Sequence, residues 1–308
     1  MRVILLVGGD RGRFPASNCL LVKGARGAIL VDAGCNREQV ERAASIADLV
    51  VYTHIHPDHI THHSLLTGLP ARIPVADAPY KSLEELGKRY APEIAPHWVE
   101  YARTVFSLSR PPEGEPYEPW EEIRAGDASI VMIPARGHTR GHHYTLAGSH
   151  LHISDVDLTR FGPWYGHPES SIDGFIADMT SALSLAEEAR EVTTSHRERA
   201  FKPGELPGEI GMYAQALCRQ ASRVLHLLLG QAGPVAPQQL AGRGAIYRRY
   251  LPGMEVVMRF FETEIIAKLL EAMESRGDTQ RLAKGYIARR RQPEGLCRSL
   301  SGLLPEPY

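Results

Sequence analysis

The sequence predicts an α+β protein, sheet-rich in its first two-thirds and helical after that. Short apolar or β-branched runs recur early, and several of them end in a histidine or an aspartate. Ligand-type side chains at strand tips are expected where loops along one sheet edge converge on a site. After residues 201–208, which hold two Pro and two Gly, the pattern changes to long amphipathic helices. That octet reads as a linker or an abrupt turn, so the expected division is 1–207 and 208–308. A chain of 308 residues with 43% hydrophobic content can build a sizeable core.

Taken in order, residues 3–7, 19–22 and 28–31 read as strands separated by Gly-rich turns. Residues 37–46 fit a helix, and the apolar run 47–52 fits a buried strand. Residues 80–90 and 94–107 read as helices whose Tyr80, His97, Trp98, Tyr101 and Phe106 are expected to pack helix onto sheet. Alternation over 129–133 marks another strand, followed by short strands at 151–154 and 191–195. Helices are expected at 212–230, 237–241 and 254–276, the last stopped by Gly277.

Strand 47–52 runs directly into Thr53-His54-Ile55-His56-Pro57-Asp58-His59. His54 and His56 are two residues apart, so extended backbone sends both side chains to one face. Pro57 helps set a turn from which Asp58 and His59 address a second position. This donor set suits divalent metals. Two metals served by one loop form an arrangement that activates water for hydrolysis. Further candidates follow other strands: His138 and His142 in Arg136-Gly137-His138-Thr139-Arg140-Gly141-His142, then Asp155, Asp157 and His196. His142 is expected to support the ligands rather than join them. His62 and His63 are expected on a solvated face, and His143, His150, His152 and His226 to be structural or exposed. Cys19, Cys35, Cys218 and Cys297 form no Cys-x-x-Cys, so neither a thiolate zinc finger nor a disulfide framework is expected.

These motifs, from Asp32 in Ile29-Leu30-Val31-Asp32-Ala33-Gly34 through the His54–His59 cluster, His138 and Asp155 to His196, resemble those of the metallo-β-lactamase-fold metallo-hydrolases. The resemblance implies a four-layer αββα sandwich with two metals at one sheet edge. It implies that His54, His56 and His138 hold the first metal, that Asp58, His59 and His196 hold the second, and that Asp155 bridges them. Asp32 would lie beneath the site and hydrogen-bond to the metal-bearing loop. Many relatives have Gly-Asp where this chain has Ser154-Asp155-Val156-Asp157. Asp155 is taken as the ligand because it stands at the first turn after the strand, which leaves Asp157 to support it or to cap the next segment. The aromatic segment with Trp164 and Tyr165 reads either as a substrate wall or as a loop anchor. Helix, short helix, long helix and a basic hairpin-like tail resemble the winged-helix-like C-terminal domain of the lactamase beta 2 type.

The resulting expectation is a binuclear metal-dependent hydrolase using a metal-bridging hydroxide, with Asp58 orienting the water and shuttling its proton. A small ester, thioester or lactone is the leading substrate class, similar to the glyoxalase II branch. A metal-dependent endoribonuclease and a non-catalytic metal-bound scaffold are the alternatives. Zinc suits the donor set best, with iron and manganese as alternatives. Net charge −1 and pI 6.9 provide no global field for nucleic acid or membrane. The basic stretch 281–298 is expected to be a solvated end, with RNA contact as the alternative. No signal peptide or membrane span is read, a cytoplasmic location is expected, and a homo-oligomer is left open.

Overall fold

A computed structural model describes residues 1–304. Strands β1 (Arg2–Leu6), β2 (Cys19–Lys23), β3 (Ala28–Val31), β4 (Leu49–Val51), β5 (Ala71–Pro74) and β6 (Glu115–Tyr117) form one sheet in sequence order. Pairing is antiparallel from β1 to β3 and parallel from β3 to β6. The second sheet has the order β11-β10-β9-β8-β7. Its strands are β7 (Glu122–Ala125), β8 (Ala128–Pro134), β9 (His143–Ala147), β10 (His150–His152) and β11 (Glu191–Thr193).

Side-chain alternation along the strands builds the layers. Leu20 and Val22 of β2 join Ile29, Val31, Ile130 and Met132 between the sheets, whereas Cys19 and Leu21 face the helices. The helical elements are α1 (Gly9–Gly12, one turn), α2 (Arg37–Ala44), α3 (Pro57–Ile60, one turn), α4 (Leu83–Tyr90), α5 (Ala95–Phe106), α6 (Ile172–Ala186), α7 (Leu206–Leu229), α8 (Pro237–Leu240), α9 (Glu255–Glu274) and α10 (Glu294–Ser299). Helices α2, α4 and α5 cover the first sheet through Val40, Leu86 and Trp98. Helices α6, α7 and α9 cover the second through Phe175, Leu217 and Ile265. The result is the expected αββα sandwich, followed by a helical C-terminal region. Among the described residues no helix is long and apolar enough to cross a membrane.

Several sequence expectations need correction. Helix α4 begins at Leu83, not residue 80, because Ser82 and Glu85 form a reciprocal cap: the Glu85 N–H donates to Ser82 Oγ, and the Ser82 N–H to Glu85 Oε2. The octet 201–208 is no free linker, since it holds a bridge from Phe201 to Val192, a 3₁₀ turn and the start of α7. Pro207 is tolerated in the first helical turn, where its missing N–H would have no partner. The 207/208 position therefore falls inside α7. The basic stretch 281–298 is folded, with β12 (Thr279–Leu282) and β13 (Gly285–Ala288) forming a hairpin, Tyr286 buried and Arg290 paired with Asp278 and Glu294, but its basic side chains Arg281, Lys284, Arg289, Arg290, Arg291 and Arg298 are exposed, as expected of a solvated face. Cys218 and Cys297 are joined as a disulfide across 79 residues, brought together by α7 and α10. Cys19 and Cys35 are free and buried.

Candidate metal centre

The tips of β4, β8, β10 and β11 lie along one edge of the sandwich and carry the candidate ligands. After β4, His56 precedes the single turn α3, which Pro57 starts, and Asp58 and His59 sit on that turn. His138 stands on the loop after β8, Asp155 after β10 and His196 after β11. The structure brings all seven together in two donor sets. One is His54, His56, His138 and Asp155; the other is Asp58, His59, Asp155 and His196. Within each set the donor atoms lie within 4.8 Å of one another. Every member is buried.

The unused ring nitrogens fix which atom each histidine presents. His59 Nδ1 is 2.8 Å from Asp32 Oδ2, His138 Nδ1 is 3.0 Å from the Trp164 carbonyl, and His196 Nδ1 is 2.9 Å from the Gly12 carbonyl. An N–H on each of those nitrogens leaves Nε2 free for a cation. Asp32 also accepts from the N–H and hydroxyl of Thr53, and the oxygen of that hydroxyl is 3.1 Å from His54 Nδ1. Asp32 thus sits beneath the loop, as expected. His56 is the exception, because its Nδ1 is the atom 2.8 Å from His138 Nε2. Such outer contacts orient ligands and set their basicity.

Three of the inward atoms, His54 Nε2, His59 Nε2 and Asp155 Oδ1, are buried without a hydrogen-bond partner. Leaving polar atoms in that state costs about 1–3 kcal/mol each. Two cations between the sets would satisfy them, so the residues present fit a binuclear site. The electrostatics differ between the two sets. Burial, then His59, holds His54 well below the usual imidazole range, and burial and His167 do the same to His56. Both are therefore in the neutral form that binds metals. Burial opposes charge on His59 and His196, but the carboxylates outweigh it. Asp155, Asp32 and Asp58 raise His59 well above its usual value, while Asp58 and Asp155 raise His196 to about 9. For Asp155, burial is overcome by His59 and His138, which hold its carboxyl well below the usual range.

The neighbours divide the remaining expectations. His142 Nε2 accepts the Asp155 N–H at 3.0 Å and so backs that ligand. Asp157 accepts from the N–H and hydroxyl of Thr159, capping the next turn. Trp164 lies at the site, its ring 6.1 Å from that of His56 and 5.9 Å from that of His138. Tyr165 does not. It points into the core, where it is fully buried and donates to Gln220, so the substrate-wall reading fails for it. His63 is buried and 2.8 Å from the Arg110 carbonyl, not on a solvated face. Trp98, Tyr101 and Phe106 pack α5 as expected, and they also extend an aromatic run toward the site, Trp98 through Tyr90 and Tyr101 through Phe261. Sequence reading misses His167, whose ring is 4.5 Å from that of His56, and the trio Asp77, Arg89 and Glu169. No spacing pattern marks these residues, because only the tertiary fold brings them together.

The family model described as metallo-beta-lactamase superfamily matches residues 12–162. No curated protein is matched. Among solved structures, a metallo-beta-lactamase family protein from Thermus thermophilus is similar with a TM-score of 0.64 at 20% identity, covering 93% of this chain and 98% of that one. A beta-lactamase domain protein from Burkholderia ambifaria is similar with a TM-score of 0.62 at 15% identity, covering 88% of this chain and 87% of that one. At these identities the likeness concerns the fold. The matched segment, which runs through the first metal loop, His138 and Asp155, is similar to the metallo-β-lactamase superfamily.

Proposed function

We propose that this protein is a binuclear metal-dependent hydrolase of a small ester, thioester or lactone. One observation carries the reading: two buried four-residue donor sets share Asp155, and inward-facing donor atoms in both make no hydrogen bond, His59 Nε2 and Asp155 Oδ1 meeting only as an ion-pair contact at 3.0 Å. His54, His56 and His138 would hold one ion and Asp58, His59 and His196 the other, with Asp155 between them. Zinc suits this mixture of imidazoles and carboxylates. When bound, such ions supply an acidified water and polarise a carbonyl oxygen.

The chain's own residues do the rest. Asp58 is the acid–base candidate. Its Oδ2 stands 3.4 Å from His196 Nε2 and 3.9 Å from His59 Nε2, where it can take a proton from attacking water and return it to the leaving group. Ser17 Oγ donates to the Asp58 carbonyl at 3.1 Å and steadies that turn. Gly34 has to be glycine here, because a Cβ would come within 1.8 Å of the same oxygen. Trp164, packed on Phe261, sets an apolar ring beside His56 and His138, which suits an acyl group. The complete donor set weakens the non-catalytic alternative.

The test is zinc-loaded protein against a panel of p-nitrophenyl esters, thioesters and lactones beside an end-labelled single-stranded RNA, with Asp58→Ala in parallel. Hydrolysis of an acyl substrate that is lost in Asp58→Ala supports the proposal. RNA cleavage without acyl hydrolysis replaces it with the nuclease reading.

A further inference from the structure

A buried charge network lies behind the first donor set, and the hydrolase reading gives it no task. On α4, Arg89 donates from Nη1 to Asp77 Oδ1 at 2.7 Å. It also donates from Nε and Nη2 to the two oxygens of Glu169, at 3.1 and 3.0 Å. The Arg89 side chain is 4% exposed and that of Asp77 0%. The guanidinium lies 4.5 Å from the Tyr80 ring and 5.0 Å from the Tyr90 ring. Taking three charges out of water costs several kcal/mol per ion, and such networks are poor stabilisers by themselves. Asp77 Oδ2 is buried with no hydrogen-bond partner, so the network is not even internally satisfied.

Its attachments are selective. Gly141, on the loop that carries His138, packs so close that a Cβ there would sit 2.2 Å from Asp77 Oδ1. Next to Glu169, Ser170 donates its hydroxyl to the His138 carbonyl at 2.8 Å. Two residues before Glu169, His167 packs on His56. The network therefore touches the segments that carry His54, His56 and His138. The second set has other supports: Asp32 for His59, Gly12 for His196 and Ser17 for Asp58.

We propose that Asp77, Arg89 and Glu169 are positioning residues that hold His54, His56 and His138 at cation-binding spacing, while the second donor set stands independently of them. This rests on the metal reading above. Outer partners of metal ligands typically change affinity by about 10- to 100-fold.

The experiment measures zinc affinity of metal-stripped protein by competition with a chromophoric chelator. Asp77→Asn and Glu169→Gln are each placed in two backgrounds, His196→Ala to isolate the first set and His138→Ala to isolate the second. Expected is a loss of about 10- to 100-fold in the His196→Ala background and no change in the His138→Ala background. Equal losses in both backgrounds, or none in either, overturn the proposal. If Asp77→Asn does not fold, Glu169→Gln, at the outer end of the network, decides the matter alone. Unmutated protein that takes up no zinc sinks the hydrolase reading and this proposal with it. Two ions bound without any effect of these variants sink only the positioning role.

Discussion

The Asp155 N–H donates to Nε2 of His142 at 3.0 Å, while His142 Nδ1 lies 2.5 Å from the Ala135 carbonyl. One imidazole thus ties the shared carboxylate to the end of β8. Burial, with His138 beside it, pushes the His142 pKa down to about 3, so the ring remains a neutral acceptor at ordinary pH. His142→Ala should weaken metal binding by about 10- to 100-fold with the secondary structure retained. Chelator competition and far-UV circular dichroism check this. Wild-type affinity in the variant would show that Asp155 needs no such anchor.

Asp178 on α6 accepts the Gly137 N–H at 2.7 Å, one residue before His138. Burial raises its pKa to about 7. A raised carboxyl pKa means the folded state favours the protonated form, so this contribution is full below the unfolded value near 4 and is lost as pH rises through about 7. At about 1.4 kcal/mol per pKa unit, the upper bound is about 4 kcal/mol. Asp178→Asn should therefore flatten the dependence of unfolding free energy on pH between about 4 and 7, as read by urea titration. An unchanged slope would contradict it.

Glu262 on α9 is fully buried, and its carboxylate accepts from the N–H groups of Gly242, Ile246 and Tyr247 and from the Tyr250 hydroxyl. Those bonds fold the 242–250 loop, and Tyr247 in turn accepts from the Trp164 indole at 2.9 Å. Glu262→Ala strands several donors and should cost about 3–5 kcal/mol of stability. Denaturant unfolding reads the loss, and a change below about 1 kcal/mol would show that water replaces the carboxylate.

Trp164→Ala keeps the carbonyl that orients His138 but removes the ring beside His56. For an apolar acyl substrate, KM should rise about tenfold with a smaller change in kcat. Steady-state kinetics separate the two, and a fall in kcat at constant KM would assign Trp164 to ligand geometry instead.

The sequence makes the ligands legible because each is encoded locally. His54 to His59 lie on one strand tip, and Asp155 and His196 also follow apolar runs. The strand positions follow from period-2 burial, as Leu20 and Val22 against Cys19 and Leu21 illustrate. Packing direction is less legible. Trp164 and Tyr165 are adjacent, yet one faces the site and the other Gln220. Arg89 finds Glu169 across 80 residues, and no spacing rule foretells a contact made by helix placement. The start of α7 is hidden by Pro203, Gly204, Pro207 and Gly208, residues that read as breakers but are harmless in a 3₁₀ turn and a first helical turn.

The most direct measurement is the metal content of purified, zinc-equilibrated protein by elemental analysis, with Asp155→Ala alongside. Two ions per chain in the wild type, falling to one or none in Asp155→Ala, is the result this account predicts, because Asp155 alone belongs to both donor sets. A wild-type chain that retains no metal, or an Asp155→Ala protein that still holds two ions, would contradict it.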